Sequence, residues 1–150
     1  MSSDAAPSAE PVCVLGFDVG SKRIGVAVGN TLTRSARPIA VVDVREREPD
    51  WSALQRLVDA WHPQRFIVGE PLTLDGGKQP MTRAARRFAQ DAAQRFAVPA
   101  TLVDERSSSR EASSRFADQR RDGTARRRDA DDIDALAAQI IIERWFERTP

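Results

Sequence analysis

Residues 12–30 read VCVLGFDVGSKRIGVAVGN, and this stretch decides the fold. Residues 11–19 are almost all apolar. That is too dense for a strand with one wet face and right for a central strand covered on both sides. Ser21, Lys22 and Arg23 after Gly20 read as a turn, and residues 23–29 are short and β-branched, a hairpin partner for the first run. One carboxylate, Asp18, sits inside the apolar run. A charge there is costly to bury unless something pairs with it.

Working outward, RPIAVVDV (37–44) is a third strand, with Pro38 at its start, where a missing donor is tolerated. From Asp50, an N-cap residue, Trp51, Leu54, Leu57, Val58 and Trp61 recur at helical spacing until Pro63 stops them. RFIVGEP (65–71) is a strand that enters the loop LTLDGGKQP. A helix over 80–97 carries Met81, Ala85, Phe88, Ala92 and Phe96 on one face. ATLVDE (100–105) is a fifth strand, residues 107–118 a short helix, and 119–130 an Arg-rich loop. A last helix from about Asp131 to Arg148 turns Ile133, Leu136, Ala137, Ile140 and Ile141 inward. The order β-β-β-α-β-α-β-α-α predicts an α/β fold with a five-stranded mixed sheet. A three-stranded antiparallel meander joins two parallel strands, with helices on the faces. Residues 11–148 form one domain, and residues 1–10 a disordered tail.

The chain has 150 residues, 41% of them apolar, which suits a soluble globular domain and excludes wholesale disorder. No apolar run is long enough to span a membrane, and the N-terminus lacks the pattern of a secretory signal. A single cysteine, Cys13, permits no internal disulfide; a cytoplasmic location fits. Net charge is +1 and implies no polyanionic partner by itself. Its distribution is uneven: between Arg106 and Arg128 eight arginines face three acids, Glu111, Asp118 and Asp122. Such a segment is either a solvated surface or a strip that binds a nucleic-acid backbone.

Two further acids stand at informative places. Glu105 closes the fifth strand, and strand C-termini in α/β sheets border the ligand crevice. Asp134 shares a helix face with Ala137, Ala138 and Ile141, the face turned to the sheet. Asp129, Asp131 and Asp132 have simpler roles as caps. Three converging carboxylates without a His or Cys cluster suit a hard cation, Mg²⁺ or Mn²⁺. Paired ions of that kind activate water in phosphodiester cleavage. Each acid taken singly also has a structural reading: Asp18 capping a turn, Glu105 pairing with Arg106 or Arg23, Asp134 capping its helix. Spacing leaves both readings open.

Other motifs carry less. His62 ends a helix, and a Cys13–His62 dyad is not expected, because Cys13 reads as mid-strand. DGGKQP is not a P-loop. Ser107, Ser108 and Ser109 serve as an N-cap, and Trp51, Trp61 and Trp145 as core.

The segments GFDVGSKRIGVAVGN, RPIAVV, FIVGEPLTLDGGKQPMTRAARRFAQ, LVDERSSSREA and DIDALAAQIIIERWF together resemble the YqgF family, Holliday-junction-resolvase-like proteins regarded as pre-16S rRNA nucleases. The likeness spans about residues 12–147. It implies an RNase H-like fold, with the family's acids falling on Asp18, Glu105 and Asp134 as catalytic metal ligands for Mg²⁺ or Mn²⁺. It further implies phosphate contacts from Lys22, Arg23, Arg106 and the 110–128 arginines, among them Arg110 and Arg126. One departure is Glu70, where the family has leucine in Gly-Leu-Pro. Glu70 either adds a carboxylate beside the site or points to solvent.

The expected function is therefore a metal-dependent endonuclease acting on structured RNA in 5′-end maturation of pre-16S rRNA, during ribosome biogenesis. Its partners would be precursor rRNA, on pre-ribosomal particles or free, and the protein a monomer or weak homodimer. The alternatives are a resolvase of four-way DNA junctions and a non-catalytic nucleic-acid-binding module. A carboxylate cluster repels phosphate and counts against the latter.

Overall fold

The structure, a computed structural model, describes residues 12–71, 80–104 and 129–148. The expected tail at 1–10, the helix at 107–118 and the Arg-rich loop up to residue 128 lie outside the described residues, as do Glu105, Arg106, Arg110 and Arg126.

The apolar opening run forms β1 (Cys13–Val19). It pairs antiparallel with β2 (Arg23–Asn30) on one side and parallel with β5 (Arg65–Glu70) on the other. Beyond β2 lies β3 (Ser35–Arg45), antiparallel; beyond β5 lies β6 (Ala100–Asp104), parallel. Among the described residues six strands are present, not the expected five. A two-residue strand β4 (Glu48–Pro49) folds back on Val44 and Arg45, giving the order β4-β3-β2-β1-β5-β6. Its turn uses Glu46 and Arg47 in the left-handed region, at φ 52° and 65°.

Because β1 is central, its alternate side chains enter two cores. Leu15, Phe17 and Val19 meet Leu54 of α1 (Trp51–Trp61) and Ala85, Phe88, Ala89 and Ala92 of α2 (Pro80–Phe96). Val14 on the opposite face joins Ala27, Ile67 and Val103 under Ala138, Ile141, Ile142 and Phe146 of α3 (Asp129–Arg148). Helices therefore cover both faces of the sheet. The residues expected to point inward from the last helix divide. Ile141 faces the sheet, whereas Leu136, Ala137 and Ile140 form a separate buried cluster with Ile133. A helix buried on more than one side reads as apolar nearly all round, so its sheet-facing stripe is hidden in the sequence.

Local signals behave as their chemistry requires. The Asp50 carboxylate accepts the Ala53 N–H at 3.1 Å and starts α1. His62 closes it in a left-handed conformation, φ 49°, with its N–H donating to the Val58 carbonyl at 2.9 Å. Trp51 stacks on Phe88 with ring centroids 5.8 Å apart and, like Trp61, packs on the α1–α2 core; Trp145 joins the α3 core. No described helix is long and apolar enough to cross a membrane.

Candidate metal centre

β1, β5 and β6 run parallel, so their C-terminal ends border one edge of the sheet, where α/β folds place ligands. Asp18, the penultimate residue of β1, lies at that edge and is partly exposed. Strand alternation sets it on the α3 face with Val14 and Gly16.

In the ladder Asp18 is the partner of Gly25, and partners in an antiparallel pair stand about 4.5–5.5 Å apart, Cα to Cα. A Cβ on Gly25 would lie 1.9 Å from the Asp134 carbonyl oxygen, 2.3 Å from its carbon and 2.8 Å from the Ala135 nitrogen. The α3 main chain thus rests directly on β2 at the residue beside Asp18. Gly16 and Gly29 extend this floor, since a Cβ on either would meet the Ile142 side chain at 2.4 or 2.7 Å. The capping role for Asp134 does not hold: α3 begins at Asp129, five residues earlier, beyond reach of an N-terminal cap.

Arg23, two residues before Gly25 on the same face of β2, donates from Nε to Asp134 Oδ2 at 2.8 Å. The two side chains are 40% and 28% exposed. The turn ahead of Arg23 is tight: the Gly20 N–H donates to the Arg23 carbonyl at 2.9 Å, and a Cβ on Gly20 would lie 2.7 Å from that oxygen. Lys22, in the same turn, is exposed.

Of the three sequence-derived acids, Asp134 has its main chain on Gly25, the ladder partner of Asp18, while Glu105 lies outside the described residues. Among the described residues no group of three or more His, Cys, Asp and Glu is disposed to hold a metal ion. Two carboxylates at a sheet edge would suit a hard cation such as Mg²⁺, which is commonly held by one or two carboxylates and completes its shell with water and phosphate. Glu70 does not belong to this face. It shares the opposite side of β5 with Phe66 and Val68, toward α2, and is ion-paired with Arg86 Nε. Two features escaped the sequence reading: Gly25 as the seat of Asp134, and the Arg23–Asp134 pair. Glycine inside a strand marks close backbone approach, and that signal was available at Gly25.

The fold agrees with solved structures. RuvC of Thermus thermophilus in complex with Holliday junction substrate aligns at TM-score 0.52 and 20% identity, over 91% of this chain and 94% of that one. Fowlpox virus resolvase with its substrate Holliday junction DNA aligns at TM-score 0.52 and 13% identity, over 91% and 97%. The architecture is the RNase H-like fold of these resolvases. Residues 12–148 match the family RuvX, described as Holliday junction resolvase, and the chain belongs to that family. It is 55% identical over 133 residues to the "Putative pre-16S rRNA nuclease" of Xanthomonas campestris pv. campestris (strain 8004), covering 89% of this chain and 86% of the relative. A protein of the same name from Xanthomonas oryzae pv. oryzae (strain PXO99A) is 54% identical over the same shares.

Proposed function

We propose that this protein is a cytoplasmic, divalent-metal-dependent endonuclease that hydrolyses phosphodiester bonds in structured RNA, in 5′-end maturation of precursor 16S rRNA. The observation that carries the reading is the α3 main chain at Asp134 resting on Gly25, the ladder partner of Asp18, at the C-terminal edge of the parallel strands. Membership of RuvX supports the reaction class, and the name borne by the relatives favours precursor rRNA as the substrate.

Asp18 and Asp134 would hold the ion, with Glu105, the residue after Asp104 in the chain, as the third ligand on sequence grounds. A bound Mg²⁺ or Mn²⁺ supplies Lewis acidity and lowers the pKa of water. Lys22, exposed in the turn between β1 and β2, would offer an ammonium to a phosphate oxygen. Arg106, Arg110 and Arg126 belong to the proposal as phosphate contacts on sequence grounds alone.

The family description favours a second reading, resolution of four-way DNA junctions. One assay separates the two: cleavage of a precursor rRNA fragment and of a four-way junction, in Mg²⁺ or Mn²⁺, beside Asp18→Asn. RNA cleavage abolished by Asp18→Asn is the expected result. Wild-type activity in Asp18→Asn overturns the metal centre, and symmetric junction nicks without RNA cleavage overturn the rRNA assignment.

A further inference from the structure

We propose that Arg23 is a positioning residue for the metal centre: its guanidinium fixes the Asp134 carboxylate through Oδ2, so that the other carboxylate oxygen serves the cation shared with Asp18. This rests on the metal-site reading above.

Two contacts from one face of β2 converge on Asp134. Gly25 seats its main chain, and Arg23 holds its side chain at 2.8 Å. Without the second contact, a carboxylate 28% exposed at the sheet edge would sample several rotamers. A planar guanidinium donates from a fixed direction through a charge-assisted bond and selects one orientation. Arg23 is itself anchored, by the Gly20 N–H on its carbonyl and by its ladder pairing with Asp43. A carboxylate has two oxygens, so one held by Arg23 leaves one for an ion.

The sign of one measurement distinguishes positioning from mere charge. A guanidinium near a divalent cation repels it, so on Coulomb grounds alone removing Arg23 would tighten metal binding. Loss of a partner that orients a ligand weakens binding, typically about 10–100-fold.

The test titrates Mn²⁺ into the whole protein and reads free ion by electron paramagnetic resonance. Wild type, Asp18→Asn, Arg23→Gln, Asp134→Asn and the Arg23→Gln/Asp134→Asn double variant are compared, each verified as folded by circular dichroism. Arg23→Gln is expected to weaken Mn²⁺ about 10–100-fold. The double variant is expected to bind no more weakly than Asp134→Asn alone, because Arg23 acts through that carboxylate. Affinity equal to or tighter than wild type in Arg23→Gln, or full additivity in the double variant, overturns the proposal. Should Arg23→Gln not fold, Arg23→Lys replaces it, keeping the charge without the planar fork; affinity within about twofold of wild type then overturns the proposal. Wild type that binds Mn²⁺ no better than Asp18→Asn refutes the metal centre itself, a separate failure.

Discussion

Replacing Gly25 with alanine inserts one methyl group where α3 crosses β2. Its nearest neighbour, the Asp134 carbonyl oxygen at 1.9 Å, falls 1.5 Å short of the 3.4 Å at which ordinary contact begins. The next two, the Asp134 carbon and the Ala135 nitrogen, are also main chain, so no rotamer change relieves the clash. β2 is held between β1 and β3 and cannot retreat; the helix must move instead. Overpacking costs about 1–3 kcal/mol, and with main chain on both sides we expect about 3. For a chain of this length that lowers Tm by roughly 6–12 °C. A shift of about 1 Å in a helix that carries a catalytic group costs about 100-fold in rate, so on the proposed function Mn²⁺-dependent cleavage of the rRNA fragment should fall that far at a temperature where the variant is folded. Gly16→Ala is the control. Its Cβ meets Ile142 Cγ1 and Cδ1 at 2.4 and 2.8 Å, atoms of a side chain that can rotate, and the Ala138 carbonyl oxygen only at 3.1 Å. It should destabilise by about 1–3 kcal/mol with little loss of rate once folded. An unaltered melting curve and wild-type cleavage in Gly25→Ala, or equal loss of rate in both variants, would refute the seat assigned to α3.

Glu70→Gln breaks the pair with Arg86, which is 43% exposed, and should cost no more than about 1 kcal/mol. Mn²⁺ affinity should be unchanged, and a loss of about tenfold would place Glu70 at the metal after all. Asp50→Ala removes the α1 cap and should cost about 1 kcal/mol, seen as a Tm lower by about 2–4 °C with metal binding intact. Burial pushes the Cys13 thiol pKa up, so in mildly alkaline buffer iodoacetamide should label native protein more slowly than protein in urea. A raised folded pKa makes that contribution to stability complete below the unfolded thiol's pKa, and it is lost as pH climbs through the folded value. Cys13→Ser should remove this alkaline sensitivity from urea-denaturation curves; equal curves for both proteins would count against it.

What could be read from the sequence was what local chemistry encodes. The density of apolar residues in 11–19 announced a covered central strand, Asp50 a helix start and Pro63 a stop. β4 was invisible because Arg45-Glu46-Arg47 carries none of the Asn-Gly or Gly signals of a tight hairpin, yet adopts left-handed φ at two non-glycine residues. The side of the sheet on which Glu70 lies depends on the register of β5 against β1, which spacing within β5 alone does not define. Asp18 and Asp134 were legible as acids out of place among apolar neighbours. The seating of Asp134 on the ladder partner of Asp18 was not, because it depends on helix-on-strand packing between distant parts of the chain. Arg23, read as a phosphate contact, turned out to hold Asp134 across that same packing.

The glycine floor also sets the order in which these residues can come together. Arg23 and Asp134 are 111 residues apart, the first in the opening hairpin and the second in the last described helix. A ribosome that has delivered β1, β2 and β3 has made Asp18, Arg23 and Gly25 but not the carboxylate they await. Until α3 emerges and settles, Val14, Ala27, Ile67 and Val103 lack the helix that covers them, and Asp18 stands without Asp134. Assembly of the Arg23–Asp134 pair is thus tied to the arrival of α3, so a growing chain cannot form it while it is still short of that helix.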